Sequence, residues 1–254
     1  MILDKFSLKG RVGIVTGASR GIGHGIAMGL AEAGADLVLV GRAPETIERA
    51  AKDVAGVGRK ALAVVGDTSK EEDARRAVDE TLKAFGKVDI LVNAAGVTSR
   101  AAAEEFPVAE WDRVMGVNLR GAYLMSVAAG REMIKQRSGK VIHIASMGSY
   151  IGIPNASAYV ASKGGVSQYT KNLAVEWAKY NIQVNAIAPG YIETDMTRPL
   201  KQNPERNEWV LMRTPAKRWG QPEDLAGAAV FLASAASDFI TGHILDVDGG
   251  FMAG

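Results

Sequence analysis

Residues 16–23 of the chain read TGASRGIG, and they stand between an apolar run, Val12–Thr16, and a helical pattern, Ile22–Ala33. Glycine has no Cβ atom, so the glycines of this turn allow tight folding and let backbone N–H groups approach a pyrophosphate. The phosphate charge would then lie at the positive end of the helix. The spacing GxxxGxG differs from the commonest dinucleotide fingerprint, GxGxxG, but serves the same mechanics. The stretch predicts a strand–turn–helix unit that binds a dinucleotide.

The rest of the chain repeats this alternation of strands and helices. Strands are predicted at residues 36–40, 60–66, 88–92, 140–145, 183–188 and 243–247. Helices are predicted at residues 44–55, 70–85, 111–137, 158–180 and 222–234, with Ser69 as the cap of the second of these. No repeat or linker interrupts residues 1–254. We therefore expect a single α/β domain of the Rossmann type, with a doubly wound, mainly parallel sheet of about seven strands and helices on both faces.

The charged segment 191–221 departs from this regularity. It contains Pro199, Pro204 and Pro215 and is too long for a plain connection. We expect it to be irregular and to act as a lid over a substrate.

Composition narrows the classes of function. The chain has 254 residues, 47% of them apolar and 23% charged, with a net charge of +2 and no cysteine. Without cysteine there can be no disulfide, thiolate catalysis or cysteine metal site. The charges are interspersed and form no basic block for nucleic acid or an anionic membrane. The N-terminus lacks the apolar core of a signal peptide, and no apolar run reaches about 18 residues, so a cytoplasmic location is expected.

The three histidines, His24, His143 and His243, are scattered and have no ligand spacing. No metal site is therefore predicted. His143 lies within a predicted strand, and we expect it to pack in the core.

A second stretch, Ser146 to Lys163, carries groups suited to proton transfer. Tyr159 and Lys163 are four residues apart, so on a helix they share one face. A lysine ammonium beside a phenol favours the phenolate, and we expect Lys163 to lower the tyrosine pKa from its usual value of about 10. Such a tyrosine exchanges a proton near neutral pH. Ser146, at the end of a predicted strand, can donate a hydrogen bond to a developing oxyanion.

The end of the second strand bears on the choice of cofactor. In a dinucleotide fold an acid at this place binds the ribose 2′-hydroxyl, whereas a basic residue accommodates a 2′-phosphate. Here Arg42 follows the strand, Arg20 stands in the glycine turn, and Asp36 lies at the other end of the strand. The sequence therefore predicts NADP(H) in preference to NAD(H).

Several of these residues follow predicted strands directly: Gly17 to Gly23, Asp67, Asn93, Ser146 and Pro189. Ligands of parallel sheets bind beyond the carboxyl ends of the strands. The residues are therefore expected to meet in one crevice.

Taken together, the motifs resemble those of the short-chain dehydrogenase/reductase family over nearly the whole chain. The matching elements are TGASRGIG, Asp67, NAAG at residues 93–96, Asn118, Ser146, Tyr159-x-x-x-Lys163, and Pro189-Gly190 followed by Thr194. The resemblance implies a catalytic group of Asn118, Ser146, Tyr159 and Lys163. It implies a cofactor site formed by Gly17, Ser19, Arg20, Gly21, Ile22, Gly23, Arg42, Asp67, Asn93, Ala94, Gly96, Tyr159, Lys163, Pro189, Gly190, Ile192 and Thr194.

The resemblance also implies individual roles. Asp67 would contact the adenine, Asn93 would steady the central strand, and Asn118 would keep a water in a proton relay. By pattern alone, Asn118 equally fits a solvated residue at a helix kink.

The same resemblance implies hydride transfer between a nicotinamide and a carbonyl or secondary alcohol. Residues 176–191 and 213–225 are similar to those of sugar-acid dehydrogenases, such as gluconate 5-dehydrogenase and 2-dehydro-3-deoxygluconate 5-dehydrogenase. Arg100, Arg198 and Arg213 are candidates for binding an anionic small-molecule substrate.

Two other functions stay open. The first is a 3-oxoacyl-[acyl-carrier-protein] reductase; Val175 stands where a basic residue often docks the carrier in that group, although Arg131 could serve instead. The second is a non-catalytic nucleotide-binding regulator. An incomplete set of catalytic residues would favour it, and the complete set in this sequence disfavours it. The apolar long helices predict a homo-oligomer, and the resemblance implies a homotetramer.

Overall fold

Seven parallel strands form one sheet in the computed structural model, which describes residues 1–254. The strands are β1 (Val12–Thr16), β2 (Asp36–Gly41), β3 (Ala61–Val65), β4 (Ile90–Asn93), β5 (Gly139–Ile144), β6 (Ile182–Pro189) and β7 (Ile244–Val247). They pair in the order β3-β2-β1-β4-β5-β6-β7, and every pair is parallel. The predicted doubly wound sheet is confirmed. Its winding reverses between β1 and β4, where such sheets bind ligands.

Helices cover both faces of the sheet, as predicted. The α-helices are α1 (Gly21–Glu32), α2 (Pro44–Gly56), α3 (Glu71–Phe85), α4 (Val108–Met115), α5 (Gly121–Gln136), α6 (Ser157–Trp177), α7 (Arg198–Gln202), α8 (Pro204–Arg213) and α9 (Ala226–Ala233). α1, α2 and α9 pack on one face, where Val15 and Leu39 lie. α3, α5 and α6 pack on the other, where Ile14 and Val38 lie. Neighbouring strand residues thus point to opposite covered faces, which requires the continuous apolar runs of the sequence.

Two local predictions are wrong. Ser69 does not cap the third helix, because α3 begins at Glu71 and the Ser69 hydroxyl donates to Asp67 instead. The segment 191–221 is not irregular throughout, since it contains α7 and α8. Pro199 and Pro204 lie in the first turns of these helices, where a proline costs little because its missing N–H has no helical partner there.

The predicted helix at 111–137 contains an irregularity. Between α4 and α5 the chain makes a π-helical turn, Gly116–Arg120, which includes Asn118. Such a turn holds one extra residue and often marks a functional site.

Two further observations concern the whole chain. None of the helices has both the length and the hydrophobicity required to cross a membrane. His143 is fully buried in β5, which confirms its predicted place in the core.

Candidate active site

A crevice of about 490 Å³ opens at the carboxyl ends of the strands. Every residue predicted to be catalytic or cofactor-binding lines it except Asn93 and Asn118. The crevice also has lining residues that the sequence reading did not single out, among them Val40, Gly41, Gly66, Thr68, Ala95, Val97, Thr98, Arg113, Val117, Ile144, Ala145, Asp195, Met196 and Thr197. Motifs that are far apart in sequence therefore meet, because parallel strands place their ends at one edge.

The glycine turn forms one wall of the crevice. Gly17 has φ +66° and Gly21 has φ +57°, a left-handed backbone that favours glycine. A Cβ atom on Gly17 would lie 2.7 Å from Ala95 Cα, so no larger residue fits there. Thr16 Oγ1 accepts hydrogen bonds of 3.1 Å from the N–H groups of Ala94 and Ala95, which ties the loop after β4 to this turn. The first turn of α1 begins here and supplies free N–H groups for an anion.

The opposite wall carries the groups suited to proton transfer. Ser146 follows β5, and its Oγ accepts a hydrogen bond of 3.0 Å from Gly148 N. Tyr159 and Lys163 project from α6, and the Lys163 Nζ lies 5.7 Å from the centroid of the Tyr159 ring. Lys163 Nζ donates a hydrogen bond of 2.6 Å to Ile144 O, which fixes its position at the end of β5.

The expected effect on the Tyr159 pKa is not found in the protein alone. Burial raises the pKa of Tyr159, and the opposing effects of a hydrogen bond with Ser146 and the charge of Arg100 do not outweigh it. Burial also lowers the pKa of Lys163 to about 8. The prediction that Lys163 lowers the Tyr159 pKa is therefore wrong for this structure, because the ammonium is buried and directed at a backbone carbonyl.

Asn118 lies in the π-helical turn and is buried, so it is not a solvated residue at a kink. Its Oδ1 accepts a hydrogen bond of 2.8 Å from Val97 N, and its Nδ2 donates to Val97 O at 3.0 Å and to Ser162 Oγ at 3.0 Å. Because Ser162 precedes Lys163, Asn118 joins the loop after β4 to the part of α6 that carries Lys163.

Asn93 lies at the end of β4 beneath the crevice and does not line it. Its Nδ2 donates to Ser126 Oγ at 3.1 Å, and its Oδ1 is buried without a partner in the chain. Ser126 Oγ lies 3.0 Å from His143 Nε2, and His143 Nδ1 lies 2.8 Å from Thr170 Oγ1. The Thr170 hydroxyl donates to Val166 O at 2.8 Å, so it accepts from Nδ1–H, and the Ser126 hydroxyl donates to Nε2. His143 is thus a neutral imidazole that links β4, β5, α5 and α6.

The far end of the crevice carries residues predicted to meet the adenosine part of a cofactor. Asp67 accepts hydrogen bonds from the Ser69 N–H at 3.0 Å and its hydroxyl at 2.7 Å. Partial burial opposes ionisation, but the Ser69 hydrogen bonds and the charge of Arg42 lower the Asp67 pKa. Arg42 is exposed at the end of β2. Arg20 pairs instead with Asp195 of the segment 191–221.

Two of the three predicted substrate-binding arginines are engaged elsewhere. Arg198 pairs with Asp195, and the Arg213 guanidinium lies 5.3 Å from the centroid of the Phe251 ring. Arg100 acts on Tyr159 and Tyr191, since its charge lowers the pKa of both against the larger, opposite effect of burial.

The sequence reading missed Arg206 and Tyr191. Arg206 lies on α8, and its charge also acts on the Tyr191 pKa. The position of Tyr191 directly after Pro189-Gly190, at the end of a predicted strand, is the signal that could have identified it.

Comparison with known proteins places this site in a family. The family described as Enoyl-(Acyl carrier protein) reductase matches residues 17–252. A 2-dehydro-3-deoxy-D-gluconate 5-dehydrogenase from Dickeya dadantii is 47% identical, and the match covers 100% of both chains. A gluconate 5-dehydrogenase from Gluconobacter oxydans is 42% identical over 97% of this chain and 96% of its own.

The solved structures agree. The crystal structure of a gluconate 5-dehydrogenase from Burkholderia cenocepacia in complex with NADP and tartrate has a TM-score of 0.97 against this chain. The two sequences are 43% identical, and the match covers 100% of both chains. Sequence and fold are thus shared with these proteins over nearly the full length. The chain belongs to the short-chain dehydrogenase/reductase family.

Proposed function

We propose that the protein is an NADP(H)-dependent oxidoreductase that transfers a hydride between the nicotinamide and a carbonyl or secondary alcohol of a sugar acid. The observation that carries the proposal is that Tyr159, Ser146 and Lys163 line the same crevice as the glycine turn. The names of the relatives support the substrate class, since they are dehydrogenases and reductases of gluconate or its keto derivatives.

The residues fit the cofactor. The left-handed Gly17 and Gly21 and the start of α1 form a cradle for a pyrophosphate that a Cβ atom would fill. Asp67 would contact the adenine, and Arg42 would bind a 2′-phosphate. When bound, the cofactor supplies or accepts a hydride at C4 of its nicotinamide.

The chain supplies the proton chemistry. Tyr159 would give its hydroxyl proton to the substrate oxygen during reduction and take it back during oxidation. Ser146 would donate a hydrogen bond to the same oxygen and stabilise its negative charge. Lys163 would hold the cofactor ribose, and Asn118 would keep a water next to Lys163.

The preference for NADP(H) over NAD(H) is supported by the end of β2. Arg42 is exposed there, and no acid stands at the strand end to bind a free 2′-hydroxyl or repel a phosphate. Related crystal structures that contain NADP also support it.

The anionic substrate is supported by the cations near Tyr159. The charge of Arg100 lowers the pKa of this tyrosine, and the charge of Arg206, on α8, lowers that of Tyr191 against the larger effect of burial. We propose that the segment 191–221, with α7 and α8, is the lid of the single domain and that it brings Arg206 to the substrate carboxylate.

A substrate panel tests the function. Purified protein is assayed with NADPH against 5-keto-D-gluconate, 2,5-diketo-3-deoxygluconate, a cyclic ketone and a 3-oxoacyl thioester. We expect the highest kcat/KM for a keto sugar acid. Faster reduction of the thioester would instead support the carrier-protein alternative, for which the exposed, apolar Val175 offers no charge to an acidic carrier.

The catalytic assignment has its own test. Tyr159→Phe should lower kcat by about 10²- to 10⁴-fold, because the reaction loses its positioned acid. NADPH should still bind, which fluorescence of the bound cofactor measures. Turnover near that of the wild type would refute the role of Tyr159.

We also propose that the protein acts in the cytoplasm as a homotetramer. Support for association comes from apolar side chains on the outer faces of the long helices, such as Tyr123 of α5 and Val175 of α6, which are 48% and 82% exposed. Light scattering at micromolar concentration should give the mass of four chains; a monomeric mass would contradict the proposal.

A further inference from the structure

Tyr191 stands at the centre of a cluster of four aromatic rings. Its ring centroid lies 5.6 Å from that of Trp219, 6.1 Å from that of Trp209 and 5.6 Å from that of Phe251, and all three contacts are edge-on. Trp209 and Phe251 also contact each other, at 5.9 Å. Edge-on packing is a favourable geometry for aromatic pairs. The cluster therefore holds the Tyr191 ring in one orientation.

The cluster joins three parts of the chain at the edge of the crevice. Tyr191 follows β6 and stands between Gly190 and Ile192, which both line the crevice. Trp209 and Trp219 belong to the segment 191–221. Tyr191 O accepts a hydrogen bond of 2.9 Å from Gly220 N, which fixes the backbone as well as the ring.

The Tyr191 hydroxyl is available to a ligand. The residue is only half-buried, and its hydroxyl is not one of the buried polar atoms that lack a partner. It lies within electrostatic reach of Tyr159 and Arg100, because Tyr191 raises the pKa of Tyr159 and the charge of Arg100 lowers the pKa of Tyr191. Tyr191 lines a smaller cavity of about 190 Å³ that shares Ile192 with the crevice, so its hydroxyl and the charge of Arg100 lie close to the proposed proton donor.

The C-terminal tail contacts the Tyr191 ring through Phe251. Phe251 is 2% exposed and packs between the Tyr191 ring and the Arg213 guanidinium. Gly249 O accepts a hydrogen bond of 3.0 Å from Ala216 N, which belongs to the segment 191–221. Within the tail, the Asp248 carboxylate accepts hydrogen bonds from Gly250 N at 2.9 Å and from Met252 N at 2.8 Å. The tail is therefore fastened to the segment 191–221, and its one buried side chain bears on Tyr191.

We propose that the Tyr191 hydroxyl hydrogen-bonds the substrate beside Tyr159, and that Phe251 is a positioning residue that holds Tyr191 there. This inference rests on the proposed function insofar as the substrate is a polyhydroxylated carbonyl compound. Tyr191 contributes to substrate affinity, whereas the hydride step stays with the residues named above.

The variant Tyr191→Phe tests the first half, because it removes the hydroxyl and keeps the ring in the cluster. We expect the KM for the substrate to rise about tenfold, as for the loss of one good hydrogen bond. The change in kcat should stay within about threefold, and the dissociation constant of NADPH within about twofold, since neither depends on this hydroxyl. A KM within twofold of the wild type would overturn the role of Tyr191.

A double-mutant cycle tests the second half. Phe251→Ala should raise the KM, and Phe251→Leu should restore most of the affinity. Adding Phe251→Ala to Tyr191→Phe should raise the KM by no more than about twofold further, because both changes remove the same interaction between Tyr191 and the substrate. Phe239→Ala is the matched control, since Phe239 is fully exposed. Independent, multiplying effects on KM would overturn the positioning role.

The substrate for these assays is the compound that the wild-type protein reduces best in the panel above. If this compound is not a sugar acid, the proposed substrate class fails, and the KM of Tyr191→Phe still decides the role of Tyr191. A direct reading comes from tryptophan fluorescence, because Trp209 and Trp219 contact Tyr191. Substrate should change the emission of the wild type at a concentration that leaves Tyr191→Phe unchanged.

Discussion

Arg20 Nη1 lies 3.1 Å from Asp195 Oδ2, so an ion pair spans the crevice from the glycine turn to the segment 191–221. The two side chains are 75% and 42% exposed, and a pair so exposed contributes at most about 1 kcal/mol to stability. The pair matters because it engages the Arg20 guanidinium. Arg20 is one of the two cations predicted to meet the cofactor phosphate, and in this structure a carboxylate holds it.

Asp195→Asn should therefore strengthen NADPH binding. The change frees Arg20 and removes a negative charge from the crevice, and we expect the dissociation constant of NADPH to fall by about two- to fivefold at low salt. Fluorescence titration measures this. Glu193→Gln is the control, because Glu193 pairs with Lys201 in the same segment and does not line the crevice. Weaker NADPH binding in Asp195→Asn alone would contradict the prediction.

Arg42→Ala should separate the two nicotinamide cofactors. A guanidinium–phosphate interaction is charge-assisted, so we expect the KM for NADPH to rise by at least about tenfold. The KM for NADH should change less than twofold, because NADH has no 2′-phosphate. Arg49→Ala controls for net charge, since Arg49 is exposed on α2 and lies outside the crevice lining. Equal effects of Arg42→Ala on both cofactors would remove the argument for NADP(H).

Gly17→Ala should destabilise the protein and prevent cofactor binding. The new Cβ would meet Ala95 Cα at 2.7 Å in a left-handed backbone, and such strain costs about 1–3 kcal/mol before the clash is added. Gly227→Ala is the matched control, because nothing lies within 4 Å of its Cβ position in α9. There the change should stabilise the helix by up to about 1 kcal/mol. Urea unfolding measures both, and equal free energies of unfolding would contradict the assignment.

His143 should make stability depend on pH. Burial lowers the pKa of His143 from 6.5 to about 3, so between these values the unfolded chain binds a proton that the folded chain does not. The contribution of the neutral His143 to the free energy of unfolding is complete above pH 6.5. It is lost as the pH falls toward 3, at up to about 1.4 kcal/mol per pH unit.

The measurement is urea unfolding at pH 7, 6 and 5 for the wild type and for His143→Gln. Carboxylates also contribute to acid destabilisation, so the difference in slope between the two proteins isolates the histidine. A variant with the same slope as the wild type would show that His143 accepts a proton in the folded state.

The sequence predicted the sheet and the convergence of the site well, and physical reasons explain this. Strands covered on both faces are continuous apolar runs, and glycine or a polar residue ends several of them, as at Gly17 and Ser146. Because all the strands are parallel, knowing their ends was enough to bring TGASRGIG together with Tyr159 and Lys163.

The failures concern what only packing decides. The length of the segment 191–221 and its prolines predict an irregular segment, but Pro199 and Pro204 lie in the first turns of α7 and α8, because a proline suits a loop and a helix start equally. The spacing of Tyr159 and Lys163 placed them on one face but said nothing about burial, which dominates both pKa values. Asn118 hydrogen-bonds a backbone 21 residues earlier in the chain, a contact that no local pattern encodes.

The π-helical turn at residues 116–120 also constrains how this chain can vary. The turn joins α4 to α5 without a break in the helix. It also directs the Asn118 side chain at the Val97 backbone. Deleting a single residue here would restore an ordinary α-helical turn and move the Asn118 side chain away from the Val97 backbone. Insertions and deletions in this short stretch should therefore be excluded even where substitutions are accepted, because the place of Asn118 depends on the number of residues in the turn and not only on their chemistry.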